Sequence, residues 1–179
     1  MKRKWKIALF IIFLFGIESI FPNFFPEYLF PQSFIFVPRF LLMFLILLAA
    51  FYDWKKAVII AALIGAVTDI VFIEILGIYV VWYPLVIYIV SRLFKLIHNH
   101  LVVVAILTLL AISLLEYGIY GLFFILRIHH FTVSYFVEHR LLPTLLLNLL
   151  VYMLIAHPLK KRFTLWKKEK EEEEGMFQS

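Results

Sequence analysis

Three carboxylates and two guanidiniums sit in stretches otherwise built from Leu, Ile, Val and Phe: Glu18, Asp69 and Glu116, with Arg39 and Arg140. A charge at the centre of a membrane helix costs about 2.5–3.5 kcal/mol on insertion scales, so such groups face protein and take partners. Grouped together they could carry protons or a solute, work as acid and base, or lock helices to one another. His98-x-His100, His129-His130 and Glu138-His139 superficially resemble metal ligands. Their spacing matches no common ligand arrangement, so they are read as interfacial or loop residues and no metal is expected. The chain has no cysteine, which removes disulfides, thiolate catalysis and Cys-ligated metals. No nucleophile–base pair or phosphate-binding loop can be assembled, so neither enzymatic activity nor a cofactor is expected.

The surroundings of these charges set the class. Of 179 residues, 64% are hydrophobic and only 16% charged, with a mean hydropathy of +0.98. That composition belongs to an integral membrane protein, and the length allows one bundle without a separate soluble domain. Basic residues outnumber acidic ones by 17 to 12, but they fall between apolar runs and not on a folded basic face. This argues for membrane topology and against nucleic acid. We expect an all-α bundle of six spans, about residues 5–21, 39–52, 57–73, 77–94, 101–126 and 141–157. Residues 159–179 then form a basic, later acidic tail. Six spans place all Lys and Arg except Arg39, Arg127 and Arg140 on one side, which the positive-inside rule makes cytoplasmic together with both termini. Lys55, Lys56, Arg92, Lys95, Lys160, Lys161 and Arg162 become anchors at the inner surface of the lipid bilayer.

Each span must position its charge. Pro22 to Pro38 contains four prolines among aromatics and reads as a loop in the outer headgroup layer or as a docking surface for an extracytoplasmic partner. The second span is short, about 21 Å of helix, and must borrow Ser33 to Val37, tilt little, or thin the bilayer. In the third, Ala61, Gly65 and Asp69 form an i, i+4, i+8 row, so the carboxylate shares its face with small residues that allow close packing. Leu76-Gly77 makes a tight outer hairpin, and Pro84 should loosen one turn of the fourth span. In the sixth, Arg140, Thr144, Asn148 and Tyr152 form a packing ridge. Counting along the spans puts Glu18, Asp69 and Glu116 at the depth where Arg39 and Arg140 begin, an outer layer in which mutual pairing would offset the insertion penalty.

Glu18-Ser19, Val37-Pro38-Arg39-Phe40, Gly65 to Asp69 with Leu76-Gly77-Ile78-Tyr79, Leu114-Leu115-Glu116 and Arg140-Leu141-Leu142-Pro143-Thr144 follow one another in an order and spacing that resembles the bacterial MreD family of rod shape-determining proteins. The resemblance covers about residues 1 to 168 and leaves out the glutamate-rich tail. It implies a non-enzymatic membrane scaffold of the cell-wall elongation machinery, positioning peptidoglycan synthesis. MreC is the foremost partner it implies, with RodA, a class B penicillin-binding protein and MreB filaments beside it. It also implies a fold similar to the substrate-binding subunits of energy-coupling-factor transporters. The residues leave a second reading open, a membrane substrate-binding or transport subunit for a small solute such as a vitamin, because intramembrane charges often mark solute paths.

Overall fold

The computed structural model describes residues 2–24, 34–73, 77–94, 100–127 and 132–176. Leu76, Lys95, His98, His129 and His130 lie outside the described residues. Helix α2 (Phe40–Phe51) is apolar on every side, and a helix of that kind needs burial all round. It forms the axis of the bundle, with Leu41 to Leu48 sealed from the surroundings. Against it pack α1 (Lys2–Phe24), α3 (Trp54–Thr68), α4 (Tyr79–Leu93), α5 (Leu101–Ile125) and, beyond a short α6 (Val133–Phe136), α7 (Leu142–Met176). A π-helical turn, Asp69–Ile73, prolongs α3, and a second, Val137–Leu141, joins α6 to α7 in one rod. Six helical rods and no strand occur among the described residues.

Local chemistry sets the ends. Asp53 caps α3 by accepting from the N–H groups of Lys55 and Lys56 at 3.1 and 3.3 Å, which satisfies two donors that the first turn leaves open. Thr132 caps α6 at Tyr135 N–H, 3.4 Å. Hydroxyls inside the helices bond back one turn: Thr68 to Ile64 O, Ser91 to Ile87 O and Thr108 to Val104 O. Such bonds let a hydroxyl stay in an apolar bundle without a second partner.

The outward faces remain apolar: Leu9, Ile12 and Phe13 on α1, Ile59 and Leu63 on α3, Ile106 and Leu110 on α5, and Leu150 and Met153 on α7 are all exposed. A soluble surface would not carry so much contiguous apolar area. Two of the described helices, Leu101–Ile125 and Val133–Glu173, are long and apolar enough to cross a membrane. Two departures from the expected layout stand out. Residues 34–39 are not helical, so α2 borrows nothing from Phe34 to Val37. Helix α7 continues through Pro158 to Met176, well past residue 157. Its distal part runs on alongside α2: Lys160 Nζ lies 5.3 Å from the Phe51 ring, Phe163 packs edge-on to Phe44, and Lys170 Nζ reaches Asp53 Oδ2 at 3.1 Å.

Candidate functional site: a layer of charges and helix caps

The start of α2 is the focus. Residues 35–39 approach it without regular secondary structure, and such a segment exposes N–H and C=O groups that must find partners in an apolar setting. The rod α6–α7 supplies them. Pro143 has no N–H to give to the carbonyl four residues earlier, at His139, and Ile35 N–H takes that carbonyl instead at 2.7 Å. Val37 N–H donates to Thr144 Oγ1 at 3.1 Å, Asn148 Nδ2 donates to Val37 O at 2.9 Å, and Arg39 N–H donates to Asn148 Oδ1 at 2.8 Å. Side chains one turn apart thus serve alternate residues of the non-helical segment. Further along the same ridge, Tyr152 Oη donates to Leu101 O at 2.8 Å.

The acids divide into two kinds of work. Glu116 on α5 is fully buried and binds both arginines: Arg39 Nε and Nη2 reach Oε1 at 2.8 and 2.5 Å, and Arg140 Nε reaches Oε2 at 2.9 Å. Arg39 also donates to Tyr79 Oη at 3.0 Å with its guanidinium beside that ring. Glu18 and Asp69 instead cap helices other than their own. Glu18 Oε1 on α1 accepts from Leu41 N–H at the start of α2, 2.7 Å. Asp69, with no exposed surface, accepts from the N–H groups of Gly77, Tyr79 and Val80 at 3.0, 2.7 and 3.1 Å, closing the start of α4. A carboxylate there satisfies orphan donors and meets the positive end of the helix dipole. The expected mutual pairing is therefore corrected for Asp69: its bonded partners are backbone amides, because the hairpin returns α4 directly over its carboxylate.

Close approach makes this geometry possible. A Cβ on Gly65 would collide with the carbonyl oxygen of Tyr79, so α3 and α4 touch backbone to backbone one turn before Asp69. Ala61 is buried on the same row. Gly77, at φ +119°, makes the turn that aims its own N–H at Asp69.

A family profile described as rod shape-determining protein MreD matches residues 2–164. The chain belongs to the MreD family. It is 29% identical over 171 residues to the rod shape-determining protein MreD of Bacillus subtilis (strain 168), a match that covers 96% of this chain and 99% of the relative. No solved structure matches. Membership assigns this membrane protein a role in rod shape determination, and the family is a shape-determining one and not a catalytic one.

Of the remaining residues singled out in the sequence, the lysines and Arg92 lie at the Asp53 end of the MreD-family bundle and His139 at the Arg39 end. Lys56 Nζ is 3.6 Å from Asp53 Oδ2 and 3.3 Å from Tyr52 Oη. Arg92 donates to Tyr88 Oη at 2.7 Å and lies beside the Trp54 ring, as does Lys55. Lys161 and Arg162 are exposed. His139 stacks on Tyr135 and Phe34, with Nδ1 3.2 Å from Tyr135 O. Among the described residues no three His, Asp or Glu side chains converge on a point that could hold a metal. Tyr79, the Asp53–Lys170 pair and Gly118 were not foreseen as contact residues. A Cβ on Gly118 would come within 2.5 Å of the Trp82 ring. Only Asp53 carried a local signal, as a capping residue directly before a helix.

Proposed function

We propose that this chain is a non-enzymatic multi-pass scaffold of the bacterial cytoplasmic membrane, with both termini cytoplasmic, that holds the cell-wall elongation machinery in place. In this reading the Arg39 layer is the outer one and Asp53 faces the cytoplasm. MreC is the foremost partner, with RodA, a class B penicillin-binding protein and MreB filaments as further ones, and the fold is similar to the substrate-binding subunits of energy-coupling-factor transporters. The observation that carries the proposal is the use made of the interior polar groups. Glu116, Arg39, Glu18, Asp69, Thr144 and Asn148 all bind other parts of the bundle, so they fix the outer ends of helices against one another.

The transport reading needs room for a solute beside those charges. Small-molecule sites occupy about 300–1,000 Å³. The cavity next to Glu116 and Arg140, walled by Ile35, Tyr120, Tyr135 and Phe136, measures about 90 Å³, which favours the scaffold. The test is replacement of the resident MreD by this chain in a rod-shaped bacterium, with in-cell crosslinking from its exposed helix faces. Rod shape restored and crosslinks to elongation-machinery proteins are expected. Restored shape without any such crosslink, or tight copurification of a vitamin, would sink the scaffold reading.

A further inference from the structure

We infer that the groove between α1 and the distal part of α7 is a binding site for an anionic phospholipid of the leaflet facing the Asp53 end. Helix α1 is held mainly by α2, and on its α7 side an apolar groove of about 540 Å³ opens to the lipid. Phe10 and Phe13 of α1, Phe44 of α2 and Trp166 of α7 line it, and Lys6 and Arg162 reach it from the two opposite walls. Both cations are exposed, and neither has a carboxylate partner among the described residues. Two unpaired cations on separate helices, with an indole beside them and aromatic rings below, match one phosphodiester headgroup with its acyl chain lying inward.

Size and charge select this occupant. A spanning helix about 30 Å long and 10 Å across fills about 2,400 Å³, several times the groove. The neighbouring groove between α1 and α3, about 620 Å³, is as apolar but its cation, Lys56, is held by Asp53 and Tyr52. It therefore offers no free charge to a headgroup.

The leaflet assignment rests on the proposed topology, whereas the binding itself does not. The purified full chain would be placed in nanodiscs of phosphatidylglycerol and phosphatidylcholine in equal parts, and the lipids retained on gentle release counted by native mass spectrometry. We expect phosphatidylglycerol to be favoured by at least about fivefold, the scale set by a single basic residue at an anionic headgroup. Lys6→Gln with Arg162→Gln should abolish the preference, and Lys167→Gln with Lys168→Gln, outside the groove, should leave it unchanged. Equal retention of both lipids, loss of the preference in both double variants, or a second protein chain crosslinked into the groove would overturn the site. Maleimide labelling of a single cysteine at position 168 in cells reports separately on which leaflet the groove faces.

Discussion

At the scale of single residues, buried acids in one bundle do not all do the same work. Glu116 is flanked by two cations, and Glu116→Gln leaves both without their counter-charge, a loss of about 3–5 kcal/mol for a buried pair broken from one side. In a double-mutant cycle followed by unfolding in mixed detergent micelles, Arg39→Gln should couple to Glu116→Gln by about 1–3 kcal/mol and less to Glu18→Gln or Asp69→Asn. Stronger coupling to Asp69 would contradict the arrangement. Asp69 itself serves backbone donors, and each buried donor left open costs about 1–3 kcal/mol. Asp69→Leu, which opens three of them, should therefore destabilise more than Asp69→Asn, which keeps one acceptor oxygen. Equal stability of the two variants would rule out the capping role. The sequence could rank Asp69 as buried and in need of a partner, because an isolated acid in an apolar run has no other solution. It could not show that the partner is a helix start, since Gly77, Tyr79 and Val80 come over the carboxylate only once the hairpin has closed.

Elements show the same division. The Ala61, Gly65, Asp69 row was legible from 3.6-residue geometry, and small residues on one face are a general sign of close helix packing. Gly65→Ala puts a methyl group into the Tyr79 backbone, which cannot yield as a side chain can, so α3 and α4 must part. We expect Gly65→Ala to cost about 1–3 kcal/mol and to exceed Gly118→Ala, where the obstacle is the Trp82 ring; unfolding midpoints of the two variants provide the check. At the other end, Asp53 ties α7 to the turn between α2 and α3. Burial pushes its carboxyl upward, but hydrogen bonds from Lys170 and the Lys56 amide, with the charges of both lysines, outweigh this and hold it below its ordinary 3.8. A group depressed on folding contributes stability above its unfolded value and loses it as pH falls through the folded one. Hydrogen exchange over residues 159–176 should thus be slow at neutral pH, accelerate below about pH 3.8, and be fast at neutral pH in Lys170→Ala. No change in Lys170→Ala would remove the tie.

For the whole molecule, the proposed orientation has a simple check because the chain carries no cysteine. Single cysteines at Lys55 and Lys168 should react with an impermeant maleimide only after the membrane is opened, and one at Phe34 should react in intact cells. The reverse pattern would invert the bundle. By itself the sequence determined the apolar all-helical class, the small-residue face and the presence of buried charges, because these follow from hydropathy and the period of a helix. The end of the last helix was not legible: Pro158 is a local signal to stop, and tertiary contacts such as those of Phe163 with Phe44 and of Lys170 with Asp53 hold α7 past it. Tertiary structure alone decided which charge meets which group. Pairing joins residues from Arg39 to Glu116 and from Ile35 to His139 across more than seventy positions of chain, and no local period records such meetings. The non-helical segment at 35–39 is the plainest case, since its hydrogen-bond partners belong to a helical rod about a hundred residues away, one of them a carbonyl left open by a proline.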